Sequence, residues 1–214
     1  MPVGILGGTF DPVHHGHLRL ALETLELAGL DHVRMVPLHT PPHRGQPVAA
    51  PEQRREMLRL ALEGIDSLIL EDCELRREGV SYTIDTLQEI KACMPDRHLC
   101  LIMGMDALQS LNTWHRWRAI PKSAHIIVVE RPNETMRETE PGVAALLGSA
   151  ATTDSAVLQE KESGAILRIR IPALDISSTR LREMFASGQD PRFLLPSQVL
   201  EFIYHENLYV SEQT

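Results

Sequence analysis

Cysteine is scarce in this chain, and its three cysteines argue against both a metal site and a disulfide scaffold. Cys73, Cys93 and Cys100 lack the paired spacing of metal ligands, and an odd number cannot all pair with one another. Free thiols are typical of a reducing compartment. We therefore predict a cytoplasmic protein whose cysteines are ordinary core residues.

Long apolar runs and an excess of basic residues are also missing. No run approaches the ~20 apolar residues of a membrane-spanning helix. Gly7, Gly8 and Asp11 interrupt the first apolar run, so a signal peptide is not expected. With 21 Lys and Arg against 29 Asp and Glu, the net charge is -8 at pH 7. We therefore expect neither a nucleic-acid partner nor a membrane partner, and any phosphate site must concentrate its basic groups locally.

Strand-length apolar runs alternate with helical patterns along the 214 residues. The runs occupy residues 3–6, 32–37, 67–73, 98–103, 125–129 and 167–171. Between them, apolar residues share one helix face over 18–25, 57–62 and 81–93. This alternation predicts an α/β fold, with a doubly wound, mostly parallel sheet and helices on both faces, in one domain spanning residues 1–214. Ligands of such sheets bind beyond the carboxyl ends of the strands, near a switch in strand order.

Two further segments differ in composition or position. Residues 132–164 are rich in Glu, Thr, Ser, Ala and Gly and have little periodicity, which predicts a surface excursion with room for one short helix. Residues 196–209 carry Val199, Phe202 and Ile203 at helical spacing. This spacing predicts a closing C-terminal helix.

Residues 7–17 read Gly-Gly-Thr-Phe-Asp-Pro-Val-His-His-Gly-His and join the first strand to the first helix. A helix start offers backbone N–H groups and a positive dipole, so glycines and imidazoles at this place form a candidate phosphate site. His14 and His17 can face one ligand, and Gly16 lets a phosphate approach the backbone. A surface turn made by the Asp-Pro pair, with incidental histidines, is the alternative. Zinc ranks low because no Cys or Glu has a matching spacing.

A second candidate, Asp175-Ile-Ser-Ser-Thr-Arg-Leu-Arg182, follows the last predicted strand. Its three consecutive hydroxyl residues predict a helix N-cap, and hydroxyls with N–H groups can hold a phosphate. Ser178 and Arg182 are four residues apart, so the guanidinium can reach the same anion. Simple capping with solvated arginines is the alternative. Two such helix starts in one doubly wound fold favour convergence on one polyphosphate.

Two more candidates follow predicted strands. The segment 37–44 is stiffened by prolines and ends at Arg44, which either closes over phosphates or is an exposed loop residue. Gly104-Met-Asp106 follows another strand, and the chain's two tryptophans, Trp114 and Trp117, come soon after. An exposed indole there can stack on an aromatic ligand ring, and we expect one of the two to be a core residue instead.

Residues 7–17 and 176–182 together resemble the paired (H/T)xGH and ISSTxxR motifs of the nucleotidyltransferase superfamily. Within it, the chain is similar to bacterial nicotinate-nucleotide adenylyltransferases. The further segments that carry this similarity are Pro41-Pro-His43, Ser81-Tyr-Thr83, Gly104-Met-Asp106, Thr113-Trp114 and the ending Leu195-Pro196 to Leu208-Tyr209. The resemblance covers nearly the whole chain except 132–164.

This resemblance implies a Rossmann-like domain that joins ATP and nicotinate mononucleotide into deamido-NAD with release of pyrophosphate. Mg²⁺ is implied as the cofactor, held by the ATP phosphates rather than by protein side chains. The catalytic residues implied are His14, His17, Arg44 and Arg182. The ATP contacts implied are Gly7, Gly8, Thr9, Phe10, His14, His17, Ile176, Ser177, Ser178, Thr179 and Arg182. The nicotinate mononucleotide contacts implied are Gly8, Thr9, Arg44, Thr83, Thr86, Gly104, Asp106, Trp114 and His115.

Two of these positions depart from the commoner residues of the family. Arg44 stands where lysine is usual and keeps the charge with a different geometry. His115 stands where tyrosine is frequent. The family stacks the pyridine ring on a tryptophan, which maps to Trp114, and binds the pyridine carboxylate through backbone N–H groups, which map near Thr83 and His115. A backbone contact survives the change of side chain.

Other hypotheses stay open at this point. The same chemistry could use nicotinamide mononucleotide or phosphopantetheine as the phosphate acceptor. A non-catalytic nucleotide-binding module is a further hypothesis, which the pairing of His14 and His17 with Arg182 disfavours. The sequence indicates no oligomeric state, since it has no coiled-coil pattern.

Overall fold

Seven parallel strands form one sheet in the computed structural model, which describes residues 1–40, 46–77, 79–130, 140–172 and 174–210. The strands are β1 (Val3–Gly8), β2 (Val33–Pro37), β3 (Leu68–Leu70), β4 (Leu99–Gly104), β5 (His125–Glu130), β6 (Ala151–Thr152) and β7 (Ile166–Arg170). Their order is β3-β2-β1-β4-β5-β7-β6. The chain therefore runs outward from β1 to β3 and returns to the other side of β1 with β4. The strand order reverses between β1 and β4, where ligands of such sheets bind, and the predicted fold class is confirmed.

Helices cover both faces of the sheet. Within the described residues they are α1 (His15–Ala28), α2 (Pro51–Leu62), α3 (Cys73–Arg76), α4 (Thr83–Cys93), α5 (Met105–Gln109), α6 (Ile120–Ser123), α7 (Pro141–Ala150), α8 (Val157–Glu160), α9 (Ser178–Ala186) and α10 (Ser197–His205). One buried cluster includes Met57, Leu181 and Ile203, from α2, α9 and α10. A second includes Ile84 and Leu108, from α4 and α5. The two clusters show that both sheet faces are sealed by helices, as predicted.

Several predicted boundaries shift by a few residues. The strand predicted over 67–73 ends at Leu70, because the carboxylate of Glu71 accepts a hydrogen bond from the backbone N–H of Cys73 at 3.2 Å and α3 begins there. The helix predicted over 81–93 begins at Thr83. Ser81 lies before it, buried, and its hydroxyl accepts from the His39 N–H at 3.0 Å. Polar side chains that bond to the backbone thus set these ends.

The region 140–164 is more regular than its composition predicts. It contains two helices, α7 and α8, and the strand β6, which pairs with β7. Glycine and serine weaken helical periodicity, but the Glu140 carboxylate caps α7 by accepting from the Gly142 N–H at 3.0 Å, and Val143 is fully buried. Residues 131–139, which include the start of the predicted excursion, lie outside the described residues.

A buried imidazole fastens the end of this region to the sheet. The His125 Nδ1 accepts a hydrogen bond from the Ala165 N–H at 3.1 Å, so Nε2 carries the proton and donates to the Lys161 carbonyl at 2.9 Å. Burial lowers the pKa of His125, which favours this neutral form.

The C-terminal helix is shorter than predicted. α10 ends at His205, and Asn207 and Tyr209 take left-handed backbone conformations with φ of 52° and 62°. The Leu208 N–H closes the turn by donating to the Ile203 carbonyl at 3.0 Å. The chain therefore leaves the helix and brings the Tyr209 side chain into the interior, where it is 8% exposed.

The cysteines divide between core and surface. Cys73 and Cys100 are buried, and burial raises the pKa of each thiol to about 12. Cys93 is exposed, so the prediction of a core role is wrong for it. Among the described residues, no helix is both long and apolar enough to cross a bilayer.

Candidate active site

The turn that follows β1 is packed so closely that one of its glycines is required. A Cβ placed on Gly8 would lie 2.7 Å from Cε1 and Cζ of Phe10. Phe10 itself has a φ of 50°, is 1% exposed, and meets the His17 ring edge-on at 5.0 Å between centroids. The ring of Phe10 therefore supports His17 from inside rather than facing solvent.

The two motif histidines lie together at the start of α1. Their rings are stacked, with centroids 3.8 Å apart and planes 26° apart. His14 is the buried N-cap residue, and its carbonyl accepts from the His17 N–H at 2.9 Å. A Cβ on Gly16 would lie 3.0 Å from the His14 ring and 3.6 Å from the Ile176 carbonyl oxygen. A side chain at this position would crowd the His14 ring, and the first motif lies here against the second.

The second motif caps α9 and is bonded to the first. Ser177 is the N-cap, as predicted, and its hydroxyl accepts from the Arg180 N–H at 3.2 Å. The Ser178 hydroxyl donates to the Pro12 carbonyl at 2.9 Å, and the Arg182 Nη1 donates to the Asp11 carbonyl at 2.6 Å. The two helix starts therefore converge at the carboxyl end of β1, which is the arrangement that the sequence favoured.

The remaining members of both motifs surround this junction. Gly7 is exposed and Thr9 half-buried at the end of β1, and the Gly8 carbonyl accepts from the Leu38 N–H at 3.0 Å. Thr179 is exposed, and its hydroxyl lies 3.4 Å from the Arg182 Nη2.

Asp11 lies beneath the junction and is 3% exposed. Its carboxylate accepts from the Val48 N–H at 2.8 Å, the Ala49 N–H at 3.1 Å and the Tyr209 hydroxyl at 2.7 Å. The Arg182 Nη1 lies 3.7 Å from the same carboxylate. Burial, together with the Asp11 charge, raises the pKa of Tyr209, so its phenol stays protonated and donates. From sequence, Asp11 was interpreted as a turn former, and this role was missed.

Arg54 on α2 is a second buried charge that the sequence analysis missed. The side chain is fully buried, and its guanidinium donates to three carbonyls: Thr9 at 2.9 Å, His39 at 3.2 Å and Ala49 at 3.3 Å. Burial lowers the pKa of Arg54, and the nearby charge of Asp11 opposes that shift. Arg54 thus joins the turn after β1 to the chain that follows β2.

Arg44 and the prolines and histidine at 41–43 lie outside the described residues. The chain on either side is anchored close to the motifs. The His39 carbonyl, which precedes this segment, accepts from Arg54, and the Val48 N–H, which follows it, donates to Asp11.

A second group of predicted residues lies beside the carboxyl end of β4. Thr83 begins α4, and the Tyr82 ring before it packs on the His115 ring with centroids 4.3 Å apart. Asp106 is exposed at the start of α5, and a Cβ on Gly104 would lie 2.7 Å from its Oδ1. The start of α4 and the loop carrying Trp114 and His115 are therefore neighbours.

Both tryptophans are half-buried against the second core cluster. The expectation that one is a core residue and the other exposed is therefore wrong, since neither is fully buried or fully exposed. Trp117 lies next to α7, with ring atoms 3.2 Å from where a Cβ of Gly142 would be. Trp114 directly precedes His115, whose ring packs on Tyr82.

Thr86 lies one turn below the start of α4 and is 3% exposed. Its hydroxyl donates to the Glu74 Oε1 at 2.5 Å and accepts from the Arg77 Nη2 at 2.7 Å. Burial raises the pKa of the Glu74 carboxyl, and hydrogen bonds from Ser81 and Thr86 oppose that shift. The hydroxyl of Thr86 is thus engaged within a buried polar cluster.

The sequence of the chain matches a known family over most of its length. Residues 5–184, which span both helix starts, match the cytidylyltransferase-like family. The parallel sheet, the strand reversal beside β1 and the two converging helix starts are therefore those of a nucleotidyltransferase.

Full-length relatives narrow this class. The chain is 43% identical to a protein of Aeromonas salmonicida, over 99% of this chain and 98% of that one, and 43% identical to one of Methylococcus capsulatus, over 97% and 99%. Both are named "Probable nicotinate-nucleotide adenylyltransferase". The chain belongs to the nicotinate-nucleotide adenylyltransferase family.

A solved structure shares the fold at much lower identity. The nicotinic acid mononucleotide adenylyltransferase of Plasmodium falciparum, solved in complex with NaAD, superimposes with a TM-score of 0.72 at 18% identity, covering 97% of each chain. This likeness supports the architecture.

Proposed function

We propose that the protein transfers the adenylyl group of ATP to nicotinate mononucleotide, forming deamido-NAD and pyrophosphate. The observation that carries this proposal is the convergence of α1 and α9, where Ser178 bonds to Pro12 and Arg182 bonds to Asp11 at 2.6 Å. Helix starts, imidazoles and a guanidinium together make a strongly anion-attracting site. Family membership supports the same conclusion.

In this proposal, the ATP phosphates lie at the junction of the two helix starts. His14 and His17 present their stacked rings from α1, and Ser177 to Arg182 contribute hydroxyls, N–H groups and the guanidinium from α9. Gly7, Gly8 and Thr9 supply backbone close to the nucleotide, and Phe10 acts through its packing on His17. Arg44 is proposed to add a further positive charge from the segment after β2.

The acceptor is proposed to bind on the β4 side of the strand reversal. The Trp114 indole stacks on the pyridine ring, and backbone N–H groups near Thr83 and His115 receive its carboxylate. Packing of Tyr82 on His115 supports this, because it holds the two backbone donors in neighbouring positions. Gly104 and Asp106 border the same space, and Thr86 supports it from below.

The reaction needs no covalent bond to the protein. A 5′-phosphate oxygen of the mononucleotide attacks the α-phosphorus of ATP and forms a new P–O bond, while the bond from the α-phosphorus to the α,β-bridging oxygen breaks. That oxygen leaves with pyrophosphate. Charge moves onto the departing pyrophosphate, where His17, Arg182 and the helix starts stabilise it. Catalysis therefore consists of positioning and of electrostatic stabilisation.

Mg²⁺ is proposed to arrive with the ATP phosphates and to neutralise part of their charge. Among the described residues, no group of three or more His, Cys, Asp or Glu side chains is placed to hold a metal ion. Asp11 is the acid beside the junction, and its carboxylate is already engaged by Val48, Ala49 and Tyr209. At the proposed phosphate site, the protein itself thus contributes cationic side chains and backbone N–H donors.

Pyrophosphate release from ATP tests the proposal. Purified protein with Mg²⁺ is assayed with nicotinate mononucleotide, nicotinamide mononucleotide and phosphopantetheine as acceptors. We expect the highest kcat/KM with nicotinate mononucleotide, and deamido-NAD as the second product. If another acceptor gave the highest kcat/KM, the protein would still be an adenylyltransferase, but its acceptor would not be nicotinate mononucleotide. ATP binding without pyrophosphate release from any acceptor would identify a non-catalytic nucleotide-binding module.

A further inference from the structure

A buried contact between the two ends of the chain lies directly under the proposed phosphate site. We propose that Asp11 and Tyr209 are positioning residues: the Tyr209 hydroxyl holds the Asp11 carboxylate in the place that orients Arg182 for adenylyl transfer. This inference rests on the proposed function and assigns a part in it to the C-terminal tyrosine.

The hydrogen bonds form an ordered chain from Tyr209 to Arg182. The Tyr209 hydroxyl donates to the Asp11 Oδ1 at 2.7 Å, and the Val48 N–H donates to Oδ2 at 2.8 Å. With both oxygens held, Asp11 presents its main-chain carbonyl to the Arg182 Nη1 at 2.6 Å and its Oδ2 to the same nitrogen at 3.7 Å. One edge of the guanidinium is therefore fixed by a residue that is itself fixed by Tyr209.

Burial separates the positioning residues from the group they position. Asp11 is 3% exposed and Tyr209 8% exposed, and the Asp11 carboxylate and the Tyr209 hydroxyl are engaged within the protein. The Arg182 side chain keeps 28% of its surface accessible. A guanidinium has five N–H donors, and those not used by Asp11 and Thr179 can reach a phosphate. Of these three hydrogen-bonded residues, Arg182 is thus the one that can contact ATP.

The Tyr209 ring is held from a second side, which makes its hydroxyl a fixed donor. Its centroid lies 5.8 Å from that of Phe185, a buried residue of α9, the helix that carries Arg182. A buried hydrogen bond to a charged group is strong and directional, because water does not compete for it. Removing the hydroxyl takes one donor from a buried carboxylate and lets Asp11 shift relative to Arg182.

A double-mutant cycle tests this directly. Tyr209→Phe removes the hydroxyl and keeps the ring, and it is made in the wild-type chain and in an Arg182→Ala chain. We expect kcat with nicotinate mononucleotide to fall about tenfold in the first background and less than about twofold in the second, because the residue through which Tyr209 acts is gone. An equal fold decrease in both backgrounds would overturn the inference, since a general packing role does not depend on Arg182.

Two further variants make the result specific. Tyr204→Phe is the matched control, because Tyr204 also packs its ring on Phe185, at 5.9 Å, but is 53% exposed on α10. We expect it to leave kcat unchanged. Asp11→Asn keeps the shape but replaces one oxygen by a donor, and it should lower kcat at least as much as Tyr209→Phe. Unchanged kcat in Tyr209→Phe would overturn the inference whatever the result for Asp11→Asn.

The unmodified protein separates this inference from the function on which it rests. If the wild-type chain releases no pyrophosphate with any acceptor, the proposed function fails. If wild type is active and Tyr209→Phe matches it while remaining folded by thermal unfolding, the function stands and the positioning role of Tyr209 fails.

Discussion

At the carboxyl end of β1, the proposed phosphate site rests on buried charges, Asp11 and Arg54, which bond to backbone from distant parts of the chain. At the carboxyl end of β4, the proposed pyridine site is made of rings at the surface, the half-buried Tyr82 and Trp114 and the exposed His115. A triphosphate requires a fixed field, because charge that develops in the reaction is best met by donors that need not reorganise. A pyridine ring with its carboxylate requires a complementary face and a few backbone donors. The proposed phosphate site is therefore supported by buried charges, and the proposed pyridine site by rings at the surface.

The largest expected effect comes from removing an imidazole at the phosphate end. His17→Ala should lower kcat for adenylyl transfer by about 100-fold or more, because one preformed donor to the developing charge is lost. The fold should persist, since His17 is half-buried and its backbone N–H stays bonded to His14. Steady-state kinetics and circular dichroism measure the two quantities.

The control for this variant is His205→Ala, whose side chain is 83% exposed at the end of α10. It should keep the wild-type kcat. A near-normal turnover number in His17→Ala would show that the imidazole has no part in the mechanism. It would also contradict the proposal that the phosphate site depends on preformed donors.

The difference between local sequence patterns and contacts of distant residues also explains what could be predicted from the sequence. The strand-turn-helix of residues 3–28 and the Ser177 cap are local patterns, so their residue types and spacing were sufficient. The bond between Asp11 and Tyr209 joins residues 198 positions apart, and no local pattern encodes it. Arg54 is different, since it lies three and four residues before Met57 and Leu58 and therefore shares the apolar face of α2. Its spacing indicates burial, but its partners Thr9 and His39 lie in distant parts of the chain.

The prediction of an irregular surface excursion was wrong for residues 140–150 for another reason. Gly142, Gly148 and Ser149 give α7 a weak intrinsic preference for helix, and its periodicity is correspondingly poor. Packing of Val143 into the core and of Trp117 against Gly142 stabilises the helix instead. Tertiary contacts of this kind override propensity and are not visible in a single sequence.

An intermediate effect is expected at the pyridine end. Trp114→Ala should raise KM for nicotinate mononucleotide about tenfold, because stacking of an aromatic ring contributes on the order of 1–3 kcal/mol. KM for ATP should change less than about twofold, since the phosphate end is built separately. Trp117→Ala is the matched control, because its indole packs toward α7. Equal increases in both KM values for Trp114→Ala would argue against stacking and against two independent ends.

The smallest effect on substrate binding is expected at Thr86, which lies one helical turn beyond the start of α4 and is buried. Thr86→Val replaces a hydroxyl that joins Glu74 to Arg77 by a methyl group of similar size. It should lower the free energy of unfolding by about 1–3 kcal/mol, because two buried polar groups lose a partner. KM for nicotinate mononucleotide should stay within about twofold of wild type, since the hydroxyl is already engaged inside the protein. Thr86→Ser keeps the hydroxyl and should retain most of the stability in urea unfolding. A large rise in KM for Thr86→Val at unchanged stability would instead indicate that this hydroxyl contacts the ligand directly. The proposed pyridine site would then contain a buried polar donor, as the proposed phosphate site does.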